Sequence, residues 1–337
     1  MIDAHTATEF GPLLNIYTIS WEDKFADKIT TLDKLPEIGW SNEIAGYVTS
    51  DVSNETGIPE GTPVIFGAVD ALSEAVSVGV VDFGELMIMY SSTAFFIFLI
   101  KDAVPTLEIW LEGGAFEGQY CYSAGLSTSG SATTWFRDQF GKDLMQSESS
   151  GGKNAYASLA DEAAMSPIGA NGLLFLPYMS GERRPIFDPK ARGIFAGLAL
   201  SHTRGDMYRA VLEGTEYAIR MNLETMQKAG AVINHGVAVG GGASNELWLQ
   251  MVSDVSGVHQ LVPEKTIGAS YGDAFLAGLA TGAVESIDVF KRDWVKIKRE
   301  ILPDGSKKPF YNEYFALFKD LYSHTKPVIH QLADKQS

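Results

Sequence analysis

Short apolar runs alternate with stretches of helical period for most of the length of this chain, and that alternation constrains its fold more than any other feature. The apolar runs are strand-sized. The longest, Ala94–Ile100, is far too short to cross a bilayer as a helix. The spacing predicts strands over 63–67, 85–90, 94–100, 119–123, 172–178, 193–200, 236–240 and 260–262, the first of them buried. It predicts helices over 71–80, 135–140, 206–228, 247–255, 272–281 and 309–332. In the longest internal helix, Met207, Val211, Ala218, Met221 and Leu223 recur at helical spacing. Residues 1–60 are turn-rich and poorly periodic, 146–153 reads as an exposed Ser/Gly loop, and 180–192 reads as a charged, solvated loop. The order is that of an α/β protein, and its 337 residues allow about two domains. The best boundary lies near residue 82, dividing the chain into 1–82 and 83–337.

Charge and cysteine usage narrow the classes of partner. There are 42 acidic against 26 basic side chains, a formal charge of −16, which argues against a nucleic-acid partner and against docking on anionic lipid. With 45% hydrophobic and 20% charged residues the balance is that of a globular chain rather than a disordered one. The single cysteine, Cys121, excludes a disulfide framework and reads as a core residue. The six histidines show no metal-ligand spacing, so no metal site is expected. Ser73 has no histidine in a recognisable elbow, which leaves a hydrolase triad unsupported. The first residues, Met-Ile-Asp-Ala-His, do not make a secretory signal, and the expected setting is cytoplasmic.

Three segments could carry chemistry. Asp70 follows a predicted strand and opens a predicted helix, where a carboxylate could accept a proton from a substrate hydroxyl or simply cap the helix. The turn Tyr90-Ser91-Ser92-Thr93-Ala94 could present donors to a phosphate, or be an ordinary hairpin turn. Gly240-Gly241-Gly242-Ala243-Ser244-Asn245 leads from a strand into a helix, and its bare backbone would let a ligand approach closely. It is neither a G-x-G-x-x-G dinucleotide fingerprint nor a Walker A loop, which disfavours a Rossmann-type oxidoreductase.

In this order the segments resemble the carboxyl-terminal part of an FGGY-family carbohydrate kinase, on the xylulokinase and gluconokinase side. The most specific match is Gly172-Leu173-Leu174-Phe175-Leu176-Pro177-Tyr178-Met179-Ser180-Gly181-Glu182-Arg183, continuing through Asp188-Pro189 and Ala191-Arg192-Gly193 to Ser201-His202-Thr203. Gly67-Ala68-Val69-Asp70-Ala71, the glycine segment with Trp248 and Gln250, and Tyr271-Gly272-Asp273-Ala274 resemble further family motifs, and the likeness runs over nearly the whole chain. The resemblance implies an α/β, actin-like ATPase (ribonuclease H-like) fold, with the second, nucleotide-binding domain complete in 83–337 and the first, sugar-binding domain truncated to 1–82. It implies phosphoryl transfer from ATP, with Mg²⁺, to a sugar or polyol. Asp70 would be the catalytic base and touch the substrate. Ser92 and Thr93 would lie near the γ-phosphate, Gly181 would approach the nucleotide, and Gly241, Gly242, Ala243 and Asn245 would line the adenosine pocket. Two departures stand out: Ser91 takes a place the family usually gives to glycine, and no Asp-x-Gly-Thr-Thr phosphate loop occurs. Activity therefore calls for a separately encoded amino-terminal domain or a longer gene product, and a homodimer is a further possible partner. The alternative is a non-catalytic nucleotide-binding or interaction module.

Overall fold

Seven strands pair into one mixed sheet in the computed structural model, which describes residues 1–336. In chain order they are β1 (Glu85–Tyr90), β2 (Ala94–Ile100), β3 (Trp110–Gly113), β4 (Tyr120–Leu126), β5 (His235–Val239), β6 (Gln260–Pro263) and β7 (Ile297–Ile301). Their order in the sheet is β7-β6-β5-β1-β2-β4-β3. β5 and β6 run parallel, with Gly236 beside Gln260 and Val237 beside Leu261. β3 and β4 run antiparallel, with Tyr120 opposite Gly113. β1 and β2 are buried along almost their whole length, which explains why they read as continuous apolar runs instead of alternating ones.

The helices used below are α1 (Asp70–Ser77), α2 (Gly130–Phe140), α3 (Ala155–Met165), α4 (Arg204–Lys228), α5 (Glu246–Ser256), α6 (Ala269–Ala280) and α7 (Lys308–Ala333). α4 shows how local chemistry sets a boundary. Thr203 accepts from the Asp206 N–H and Asp206 answers to the Thr203 backbone, a reciprocal capping box that satisfies two otherwise free donors. Burial opposes the Asp206 charge, but hydrogen bonds from Ser166, Thr203 and Asn171 outweigh it and hold the carboxyl down at about 2.

Three expectations change. The 63–67 strand is short and exposed: Pro63–Ile65 pairs only with Ile44–Tyr47, because a proline-led segment with exposed Val64 has no apolar layer to enter. The first half of the Ser/Gly stretch at 146–153 is the end of a helix, Lys142–Ser149, and the chain turns at Gly151 (φ +88°); a helix that buries no residue needs no apolar period. The 180–192 segment is only partly solvated, with Ser180, Arg183 and Phe187 exposed. Glu182 and Asp188 are buried and exchange backbone hydrogen bonds of 2.8 and 2.9 Å, closing a small hairpin. Asp188 also accepts from the Tyr322 hydroxyl and His330 Nε2, each at 2.7 Å; despite opposing burial, these bonds hold its carboxyl at about 2.

The chain gathers into two compact units, each drawn from three stretches. Unit one comprises Met1–Met87, Ile97–Ser123 and Pro263–Lys298; unit two comprises Ile88–Phe96, Ala124–Val262 and Arg299–Ser337. Within unit one, α1 and α6 pack so closely that a Cβ on Gly272 would lie 2.0 Å from the Ser73 carbonyl oxygen. The Ser73 hydroxyl donates to Asp273 at 2.6 Å across the same contact. Within unit two, α4 is the central helix and contacts α2, α3, α5 and α7. No described helix is long and apolar enough to cross a membrane.

Candidate functional site

Unit two contains a cavity of about 660 Å³, the size range of small-molecule sites. It lies where the turn after β1, the start of α2 and the glycine segment after β5 converge. Its floor is made by close backbone approach. Gly240 has φ +86°, and a Cβ there would stand 2.6 Å from the Tyr90 carbonyl oxygen. A Cβ on Gly242 would enter the Trp248 ring at 2.7 Å, whereas one on Gly241 would meet nothing within 4 Å. Gly241 thus presents bare backbone to open space. Behind it, the buried Tyr90 hydroxyl donates to Gln260 at 2.6 Å, and the Tyr90 and Trp248 rings meet edge-on at 5.5 Å.

The hydroxyl turn is tied to α2. The Ser91 carbonyl accepts from the Gly130 N–H at 2.9 Å, and the Ser92 carbonyl accepts from the N–H groups of Ser129 and Ser131 at 3.1 and 2.9 Å. Gly130 is needed there, since a Cβ would stand 2.4 Å from the Ser91 oxygen. The Ser91 N–H and hydroxyl both turn inward to the Thr93 carbonyl, at 3.1 and 2.8 Å. The far wall holds Asn154, which caps α3 through the Ala157 N–H at 3.2 Å, and Tyr156, whose hydroxyl meets Thr134 at 2.9 Å. Asn245 lines the cavity and also caps α5, accepting from the Trp248 N–H at 3.1 Å.

Of the residues singled out in the sequence, Tyr90, Ser91, Ser92, Gly241, Gly242, Ser244, Asn245 and Trp248 line this cavity. Thr93 and Ala243 belong to the same two turns but are not among its described lining residues. Nor is Gly181, which has φ +72° and lies where a Cβ would press on the Pro189 backbone at 2.7 Å; its conformation serves the small hairpin. Asp70 belongs to unit one. It is exposed in the first turn of α1, with one carboxylate oxygen accepting from the Ala71 N–H at 2.8 Å; the cap position itself is Val69. Sequence reasoning missed Gly130, Thr133, Thr134, Asn154, Tyr156 and Tyr208 as lining residues. The Ser129-Gly130-Ser131 run before a helix was a usable signal for the first. Tyr156 and Tyr208 carry none, since only packing brings them there.

Glu182 adds an electrostatic feature to unit two. Burial pushes its carboxyl up to about 7, although one oxygen accepts from the Ser127 and Arg183 N–H groups at 2.7 Å each. The other oxygen has no partner among the described residues.

The profile of the FGGY family of carbohydrate kinases, C-terminal domain, matches residues 86–281. The chain belongs to that family. A xylulose kinase of Staphylococcus epidermidis is 28% identical over 319 residues, covering 94% of this chain and 62% of the relative. A gluconokinase of Bacillus subtilis is 28% identical over 344 residues, covering 100% of this chain and 66% of the relative. The crystal structure of a xylulose kinase from Rhodospirillum rubrum superposes with a TM-score of 0.88 at 27% identity, covering 98% of this chain and 65% of that one. The chain thus spans about three fifths of the length of the xylulose kinase it matches. Its fold is the α/β, actin-like ATPase fold of the FGGY kinases, and the matched segment is their carboxyl-terminal domain.

Proposed function

We propose that the chain supplies the nucleotide-binding part of an ATP-dependent carbohydrate kinase acting on a sugar or polyol hydroxyl, of the xylulose or gluconate type named for its relatives. The observation that carries this reading is the unit-two cavity, walled by the glycine segment and the hydroxyl turn of a chain that belongs to the FGGY family. In this reading residues 83–337 are the nucleotide-binding domain, and 1–82 are part of the first, sugar-binding domain.

The cavity residues fit an adenosine group. Gly241 and Gly242 give bare backbone, Asn245 lines the pocket while capping the next helix, buried Ala243 holds the bend between them, outside the lining itself, and Trp248 and Tyr90 stiffen the wall behind it. Ser92 and Thr93 stand toward the phosphates, while Gly181 keeps its own hairpin in the shape that approaches the nucleotide. Asp70 accepts the proton of the attacking hydroxyl. It is exposed and on the first helical turn, as a base that must meet a diffusing substrate requires. Mg²⁺ neutralises phosphate charge in such transfers, but no described residue lining the cavity carries a carboxylate, so this site offers no hard-cation ligand set of its own.

A second reading, a nucleotide-binding or interaction module without catalysis, draws on one observation. The N–H groups of residues 129–131 and of Ser91 are already bonded to carbonyls, leaving fewer donors for a transferring phosphate. Catalysis calls for a separately encoded amino-terminal domain or for a longer gene product that includes it. Calorimetric titration with ATP tests what both readings share: saturable binding is expected, and no heat up to millimolar ATP removes the nucleotide site. ATP turnover with ketoses, polyols and aldonates then separates them. Sugar-stimulated turnover, alone or with the amino-terminal domain added, supports the kinase; binding without turnover in either case supports the module.

A further inference from the structure

Unit one holds a second polar cluster that the kinase reading leaves unused. His5 is remote in sequence from Glu112 and Cys121, yet the three meet in the interior, at 5%, 6% and 0% exposure, with one ligand atom from each lying within 4.8 Å of the others. Histidine spacing gave no hint of it, because the residues come from the first helical turn of the chain and from the adjacent strands β3 and β4.

The distances define a compact donor set. His5 Nδ1 lies 2.8 Å from the Gly113 carbonyl oxygen and 3.7 Å from the Cys121 sulfur, and that sulfur lies 3.6 Å from the same oxygen. Bonds of about 2.1 Å to nitrogen or oxygen and about 2.3 Å to sulfur, at tetrahedral angles, set their ligand atoms roughly 3.4–3.6 Å apart. Two of the three edges are therefore already at coordination size, and the third needs only a small widening. On the other side of the ring, the Glu112 carboxylate lies 3.7 Å from His5 Nε2 and takes the Ser123 hydroxyl as a donor. Glu9, which is exposed, interacts with Glu112.

We propose that His5 Nδ1, the Cys121 sulfur and the Gly113 carbonyl oxygen form three ligands of a site for a thiophilic divalent cation of the Zn²⁺ class, with Glu112 on the far ring nitrogen of His5. The mixture of nitrogen, sulfur and oxygen donors suits Zn²⁺ and Co²⁺ and is wrong for Mg²⁺. On binding, the Cys121 S–H bond breaks, the sulfur forms the metal bond, and the proton leaves to solvent. The His5 Nδ1 proton gives way to the metal while Nε2 carries the ring N–H toward Glu112, the carboxylate–imidazole–metal arrangement that fixes a ligand's orientation. Two negative charges then face two positive ones in a buried site, which removes the unpaired charge that would otherwise forbid it. Ser123 holds the Glu112 carboxylate through its hydroxyl hydrogen bond and acts as a positioning residue.

The test uses the full chain, stripped with a chelator and titrated with Co²⁺ and then Zn²⁺. Expected is one Co²⁺ per chain, a thiolate-to-cobalt charge-transfer band in the near ultraviolet, visible cobalt bands, and loss of both spectra as Zn²⁺ displaces the ion. Cys121→Ser removes the charge-transfer band, and Glu112→Gln weakens binding by about 10–100-fold while keeping it. Should Cys121→Ser fail to fold, the wild-type chain decides alone, since binding at neutral pH must release about one proton per ion from the thiol. No saturable band, a band unchanged in Cys121→Ser, or binding without proton release overturns the proposal.

Discussion

Two glycine-bearing corners that lead from strand to helix are built in opposite ways. The corner after β5 in unit two is crowded: Gly240 and Gly242 lie where any Cβ would strike Tyr90 or Trp248, and Asn245 caps the next helix. The corner before α1 in unit one is open, with Gly67 (φ +73°) meeting nothing within 4 Å and Asp70 exposed. The difference teaches where rigidity comes from. The first corner is shaped by packing around a cavity. The second is held by the α1–α6 contact at Gly272 and Ser73 and by backbone hydrogen bonds from Phe66 and Gly67 to the Glu43 and Ser41 carbonyls at 3.0 and 3.1 Å, and it leaves Asp70 exposed.

Asp70→Asn is the largest expected perturbation. In any preparation that turns over ATP with a sugar, it lowers kcat by about 10²–10⁴-fold, the usual contribution of a general base, while calorimetry shows unchanged ATP affinity. Full activity in that variant would reduce the exposed corner to a helix start. A pair of valine substitutions separates packing from binding. Gly272→Val forces α1 and α6 apart and costs about 3 kcal/mol or more by denaturant unfolding. Gly241→Val leaves the unfolding midpoint in place, because its side chain enters open space, yet weakens ATP binding by at least about tenfold.

Glu182 sharpens the contrast through pH. Its folded carboxyl is raised by burial from 4.5 to about 7, so its contribution to stability is fully present below 4.5 and is lost as pH rises through 7. The loss amounts to roughly 3 kcal/mol. Glu182→Gln removes that dependence, and the difference between variant and wild-type unfolding free energies should grow from pH 4.5 to 8. A flat difference would mean that the carboxylate is ionised and compensated in the fold. The smallest expected effect is Asn245→Ala, which removes the α5 cap and costs about 1 kcal/mol by thermal unfolding, with ATP affinity falling alongside if the same side chain lines the nucleotide site.

Much of the fold was legible because buried strands and amphipathic helices leave periodic marks. β1, β2 and α4 lie within two residues of their expected limits. β3 and β7 were not foreseen, since edge strands of mixed polarity carry no such mark. The Ser/Gly helix at Lys142–Ser149 was missed for the same reason. In the site, glycines and hydroxyls at strand ends announced Ser92, Gly241 and Gly242, but Tyr156 and Tyr208 join the cavity from helices whose local sequence is ordinary.

Local order along the chain determined the alternation of strand and helix, the glycine corner, the hydroxyl turn and the family to which the protein belongs, because backbone conformation and periodic burial depend on near neighbours. Tertiary structure alone decided that Glu182 and Asp188 are buried, that the N–H groups opening α2 are taken by the Ser91 and Ser92 carbonyls, and that His5, Glu112 and Cys121 meet. Burial and donor geometry are set largely by residues tens to more than a hundred positions away, and no local pattern encodes such distances.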